Sequence, residues 1–266
     1  GGTNVESRSS VREAVRLLVR GSGKPTDGIF SNFNRSLCRP AVRWLLKTPI
    51  TANMITFLGL LVAVASGYAY SRGHWAAYAV GGLLFFIAVE FDEMDGMLAR
   101  TKFQESPFGC WLETYVDYMS YLFLLSGMTI GLYREHGAIW LLLGAMTLLG
   151  CVTSFFLFAK QRKLATRPER PEEYLIRFYR RLEQDSDNFL SQKIRRYQFI
   201  IKKGVLCHGV FWFSVLGALQ VFVALGAFIS NVTWIAVLYT NHLFRSPGND
   251  NPADNWEQPA GSLPTR

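Results

Sequence analysis

"FDEMDGMLARTKFQESPFGCWLETYVDYM", residues 91–119, sets four carboxylates (Asp92, Asp95, Glu113 and Asp117) between two long apolar runs. On insertion scales a charged residue inside a membrane segment costs roughly 2.5–3.5 kcal/mol, so these groups need something that offsets it. Asp92 and Asp95 are three apart and share a face of a helix; Glu113 and Asp117, four apart, share a face of the next one. Between them, Pro107 and Gly109 allow a turn that lays the two helices side by side. Four converging anions repel one another, and divalent cations with hard oxygen ligands relieve that repulsion. Two such ions can clamp a diphosphate during an in-line displacement. Gly96 would let a ligand approach the backbone, and Arg100 would add a fixed cation for phosphate.

Outward from this stretch, apolar runs recur at 54–70, 74–91, 118–133 and 138–159. Each is about as long as a helix needs to cross ~30 Å of hydrocarbon. The run at 205–244 is long enough for two helices, with a turn near Leu216–Gln220. The expected fold is therefore an all-α integral membrane protein with six transmembrane helices and amphipathic N-terminal surface helices. Composition alone would not decide this, because a soluble domain of 266 residues can also be 50% hydrophobic.

Charge sets the orientation. Of 28 Lys and Arg, nine lie in residues 1–49 and thirteen in 160–203, whereas the turns at 71–74 and 134–137 hold only Arg72 and Arg134. The positive-inside rule places both termini, the 160–203 loop and the carboxylates on the cytoplasmic side. Between membrane spans, the net charge of +8 reads as attraction to anionic lipid rather than to nucleic acid. The basic, polar N-terminus lacks a cleavable signal pattern, so the first span would direct insertion. Cys38, Cys110, Cys151 and Cys207 have no C-x-x-C spacing and are expected as thiols.

Three regions follow: an amphipathic juxtamembrane segment (1–49), a six-helix catalytic domain (50–245) with the cytoplasmic loop 160–203, and a flexible tail (246–266). In the first, Arg8, Arg12, Arg16 and Arg20 recur every four residues, with Val11, Val15 and Leu18 on another side. Arg35, Arg39, Arg43 and Lys47 repeat the pattern beside Phe30, Phe33, Leu37, Trp44 and Leu45, and Pro40 should bend or restart that helix. Such helices suit an anionic lipid surface. His208 is expected as a packing residue; His74, His136 and His242 carry no pattern, and Glu90 and Glu93 are given no role.

The stretch resembles the signature of the CDP-alcohol phosphotransferase family, D-x-x-D-G-x-x-A-R, eight residues, G, three residues, D, three residues, D. Asp92, Asp95, Gly96, Ala99, Arg100, Gly109 and Asp117 match it, and Glu113 stands where the family has Asp. The resemblance implies that Asp92, Asp95, Glu113 and Asp117 bind two divalent cations, Mg²⁺ or Mn²⁺. It implies that Gly96, Ala99, Arg100 and Gly109 line the CDP site and that Asp117, with Glu113 beside it, is the general base. Asn53 and Thr56 match the family's N-x-x-T at the start of the first span, with Ala52 where proline is usual, and join the donor-site candidates. The segments at 24–40, 48–56 and 102–114 are similar to the transferase domain of inositol-phosphodiester synthases. Expected partners are a CDP-alcohol donor, a lipid or polyol acceptor alcohol, membrane lipids and a second copy of the chain, but no nucleic acid. The alternatives are an inactive scaffold or transporter that lost catalysis through Glu113, and a prenyl-transferring enzyme, whose two acidic motifs normally lie farther apart.

Overall fold

In the computed structural model the described residues are 8–22, 29–165, 178, 180, 182–183, 185, 188–197 and 203–241. Two N-terminal helices, α1 (Arg8–Gly21) and α2 (Ile29–Leu45), precede four long ones. These are α3 (Ala52–Ser71), α4 (Trp75–Thr101), α5 (Pro107–His136) and α6 (Ile139–Ala165). A short helix, α7 (Phe189–Tyr197), leads to α8 (Lys203–Val215) and α9 (Leu219–Thr240).

Local chemistry sets the helix ends. Thr51 caps α3 by accepting from the Met54 N–H, and Ser106 caps α5 by accepting from the Gly109 N–H, with Pro107 in the first turn. His74, which carried no pattern in the sequence, caps α4 through Nδ1. Gly217 takes a positive φ of 70° in the sharp turn between α8 and α9, where a side chain would be strained.

Six helices form a closed ring in the order α3, α4, α8, α9, α6, α5, and the chain's main core fills its centre. Tyr70, Phe85, Leu124, Met128, Leu132 and Val210 are almost wholly buried there. At ~1.5 Å per residue, α4 and α5 are about 40 and 45 Å long, which exceeds the ~30 Å of a hydrocarbon layer. The excess at their adjoining ends carries the acidic stretch. Contrary to the expectation of a turn around Pro107 and Gly109, both lie within α5, and the connection is confined to residues 102–106.

Among the described residues four helices, α3, α4, α6 and α9, are long and apolar enough to cross a membrane. The expectation was six. α5 has the length, but Glu113, Asp117, Arg134 and Glu135 lie on it and lower its apolarity; α8, with 13 residues, lacks the length.

The basic-face reading of α2 needs correction. Arg35 is 6% exposed and turned inward with Asn34, Cys38 and Val42, whereas Phe33, Leu37 and Trp44 stand exposed. Helix α2 also runs through Pro40 without restarting. On α1 Val19 is buried and packs with Cys38, Val42 and Met97, while Val11 and Leu18 are exposed. All four cysteines are free thiols. Residues 242–266, with the tail and His242, lie outside the described residues, as do most positions between 166 and 187.

Helices α3 and α5 meet backbone to backbone. A Cβ on Gly127 would sit 2.1 Å from the Gly67 carbonyl oxygen, and one on Gly67 would sit 2.5 Å from that of Phe123. Gly127→Val should therefore force the helices apart and destabilise the protein by about 1–3 kcal/mol. Gly21→Ala, where no atom lies within 4 Å, should be neutral. Thermal unfolding of the purified protein in detergent measures both; equal midpoints would contradict the close crossing.

Candidate active site

Side chains from the C-terminal third of α4 and from α5 around Asp117 reach one cleft. The two helices do not lie side by side as the spacing suggested: each packs on α3, which stands between them in the ring, and α8 closes another side. Lys203, the first residue of α8, brings its ammonium between Asp92 and Asp117, in ion pairs with Asp92 Oδ2 and Asp117 Oδ1. Asp95 lies one turn along α4, is 3% exposed, and accepts a 2.5 Å hydrogen bond from Thr56 Oγ1 of α3. These five residues line one narrow cleft, whose walls also include Gly59, Phe85, Val89 and Tyr121. The partly exposed Asp92, Asp117 and Lys203 mark its mouth, and Asp95 and Thr56 are buried.

Asn53, Gly96, Ala99, Arg100, Gly109 and Glu113 do not line that cleft. Glu113 is half-buried within electrostatic reach of both Asp95 and Arg100. Gly109 lies beside Asn53, since a Cβ built on it would be 3.6 Å from Asn53 Oδ1. Gly96 is overlaid by the Arg100 guanidinium, 3.3 Å from where a Cβ would stand. Ala99 is half-buried on α4. Arg100 does not reach toward the aspartates. Its Nε donates to the Ser22 carbonyl (2.8 Å), to which Arg35 Nη1 also donates (3.2 Å). The last carbonyls of a helix lack partners within it, and these two guanidinium groups supply one just past the end of α1.

Three features escaped the sequence reading. In the sequence Lys203 reads only as part of a basic loop. Its position where that loop meets an apolar run was the available signal, but its pairing with residues 86 and 111 positions earlier is a tertiary fact. Glu93, given no role, pairs with Arg35 at 2.9 Å, both nearly buried. Glu90 is buried and accepts from the Cys38 thiol at 2.7 Å. Burial, and then the Glu90 carboxylate itself, push that thiol well above its ordinary range, which keeps it a donor. His208 packs among Phe30, Phe33 and Phe86, as expected of a packing residue.

The donor chemistry of the cleft suits a hard divalent cation. Three aspartates offer oxygen ligands, and Asp92 and Asp117 already direct one oxygen each at a single cationic atom. Of the four carboxyl groups of Asp92, Asp95, Asp117 and Glu113, Lys203 pairs directly with two. As the side chains stand, no three His, Cys, Asp or Glu residues among those described are grouped to hold a metal ion. Asp92 and Asp117 each turn one oxygen to the Lys203 ammonium, and Asp95 faces Thr56.

Residues 49–175 match the family model described as CDP-alcohol phosphatidyltransferase. The bifunctional IPC transferase and DIPP synthase of Thermococcus kodakarensis is 29% identical over 156 residues, which cover 57% of this chain and 34% of that protein. The archaetidylinositol phosphate synthase of Methanothermobacter thermautotrophicus is 30% identical over 98 residues, 35% of this chain and 49% of its own. The chain thus spans between a third and a half of the length of these relatives. Among solved structures, phosphatidylinositol phosphate synthase of Mycobacterium tuberculosis superposes with a TM-score of 0.56 in its complex with CDP-DAG and 0.55 in that with manganese and citrate. It is 21% identical over 79% of this chain, covering 94% and 90% of the solved chains, and shares the fold.

The bond from Thr56 to Asp95 gives a prediction. Thr56→Val would leave a buried carboxylate without its hydroxyl partner and should cost about 1–3 kcal/mol of stability. Thr56→Ser should keep most of it. Unfolding midpoints of the two variants, measured in EDTA, should separate; coincident midpoints would remove any role for this bond.

Proposed function

We propose, from the premise that residues 49–175 are a CDP-alcohol phosphatidyltransferase domain, that the protein transfers a substituted phosphate from a CDP-alcohol to an acceptor alcohol and releases CMP. The observation that carries this reading is the meeting of Asp92 and Asp117, from two different helices, on one cationic point at the mouth of a cleft. The relatives' names support a phosphodiester product built on a lipid or polyol alcohol.

In this reading Asp92, Asp95, Asp117 and Glu113 hold divalent cations, which when bound would neutralise the donor diphosphate and the charge developing on CMP. Asp117 stands at the mouth of the cleft and takes the proton from the acceptor hydroxyl. The freed oxygen bonds to the phosphorus bearing the donor alcohol, and the bond from that phosphorus to the CMP oxygen breaks. Gly96, Ala99, Arg100 and Gly109, with Asn53, flank the nucleotide. Arg100 would have to leave the Ser22 carbonyl to meet a phosphate. Thr56 orients Asp95.

The same reading places the protein in the membrane through six helices, with α5 and α8 joining the four apolar ones around the closed ring. The charged ends of α5 would then lie at the two interfaces. The exposed Phe33, Leu37 and Trp44 on α2 support contact of that helix with the lipid surface. The basic segments at 1–49 and 160–203 put the carboxylates on the cytoplasmic side. Domain limits at 49/50 and 245/246 follow this division.

CMP release from a set of CDP-alcohols by the purified protein tests the reading. Activity should require a divalent metal, and Asp117→Asn should abolish transfer while retaining part of the metal binding. Glu113→Asp should bind metal and change turnover or donor preference, because in-line transfer is sensitive to ångström-scale placement. Full activity in EDTA, or an active Asp117→Asn protein, would refute the assignment. A wild-type protein silent with every donor but active as Glu113→Asp would favour the decayed-enzyme alternative.

A further inference from the structure

We propose that the Lys203 ammonium is a built-in counter-cation of the carboxylate site, which a divalent metal ion must displace. The inference rests on the metal reading of Asp92 and Asp117 given above and concerns how this chain manages that site when no metal is bound.

Lys203 reaches one oxygen on each aspartate, and its side chain is 24% exposed, against 19% for Asp92 and 31% for Asp117. All three groups are therefore largely shielded from water, and the two carboxylates have little solvent to screen their repulsion. A single positive charge between them relieves it in part. A divalent ion bound to the same two oxygens would relieve it fully, but the ammonium and the metal cannot share those oxygens without standing in contact as like charges. Binding of one therefore excludes the other. A lysine suits this role better than an arginine would, because its compact ammonium fits one point between two oxygens and its flexible stem can withdraw.

The exchange has two linked effects. Without metal, Lys203 joins the start of α8 to α4 and α5, so the site stays assembled. With metal, the released ammonium remains in the cleft, beside whatever anion the metal recruits. The cost is a lower apparent affinity for metal. Helix α8 has other attachments that do not involve the lysine. Cys207 and Val210 are buried in the main core, and Gly204 packs against Phe30 and Ser31 of α2. Its neutral variants should fold for that reason.

The test is Mn²⁺ binding to the full chain in detergent, followed by electron paramagnetic resonance, with thermal unfolding recorded in EDTA and in Mn²⁺. Lys203→Met and Lys203→Gln should each bind Mn²⁺ about tenfold or more tightly than the wild type, as expected when a competing charge within hydrogen-bonding distance is removed. Both should unfold at a lower temperature in EDTA and gain more from added Mn²⁺ than the wild type does. Lys203→Arg, which keeps the charge, should stay near the wild-type affinity. Unchanged or weaker Mn²⁺ binding in both neutral variants would overturn the proposal, as would failure of both to fold even with Mn²⁺. A wild type that binds no Mn²⁺ at millimolar concentration would instead refute the metal reading itself, leaving Lys203 as an ordinary ion pair.

Discussion

Carboxyl groups gathered at the junction of three helices need partners that offset their burial and mutual repulsion, and this requirement shapes the structure around them. Asp92 and Asp117 come from helices that the chain could have splayed apart, and Lys203 from a helix that begins 86 residues after Asp117. Their meeting joins the start of α8 to α4 and α5, while Cys207 and Val210 seat that helix in the core. Asp95 answers the same requirement with a hydroxyl, and Glu93 answers it with Arg35. The neighbourhood is thus a set of separate local solutions to one electrostatic problem, rather than one uniform acidic patch.

Much of the fold was legible in the sequence because membrane-length helices are specified by continuous apolar runs, which survive without knowledge of tertiary contacts. The turn predicted near Leu216–Gln220 falls at Gly217, and the start of α3 falls one residue after Thr51, its cap. The site was legible to the extent that helical spacing fixes faces. Asp92 and Asp95 do share a neighbourhood, and α5 does bring Asp117 to it. Spacing could not tell that Arg100 would turn toward α1 or that Asp95 would be taken by Thr56. Those outcomes depend on which backbone carbonyls and hydroxyls other helices present.

The N-terminal helices show a second limit. A repeat of arginines every four residues reads as a solvated or headgroup-facing stripe, and for Arg35 this fails because Glu93 lies opposite on α4. An ion pair, with a backbone carbonyl at Ser22 to take a further N–H, makes burial of the guanidinium tolerable. Its inward turn leaves the aromatic side of α2 outward. The buried side of the helix still carries Cys38, Val42 and Leu45, and of the basic stripe only Arg35 joins them, Arg39 and Arg43 being half-buried and Lys47 exposed.

The contact of Gly67 with Gly127 also works as a ruler. Helices α3 and α5 run in parallel through the ring, and two bare backbones that interlock at one level cannot slip by a residue without driving side chains into carbonyls. Gly131, whose Cβ would fall 2.1 Å from the Tyr70 carbonyl oxygen, repeats the lock one turn on. Thr56 lies eleven residues before Gly67, and Asp117 ten before Gly127. Over such a span, ~15 Å of rigid helix, the heights of the hydroxyl that holds Asp95 and of the carboxylate that meets Lys203 are gauged against each other. The alignment of the chemistry at one end of the bundle is therefore cut into the backbone near the other.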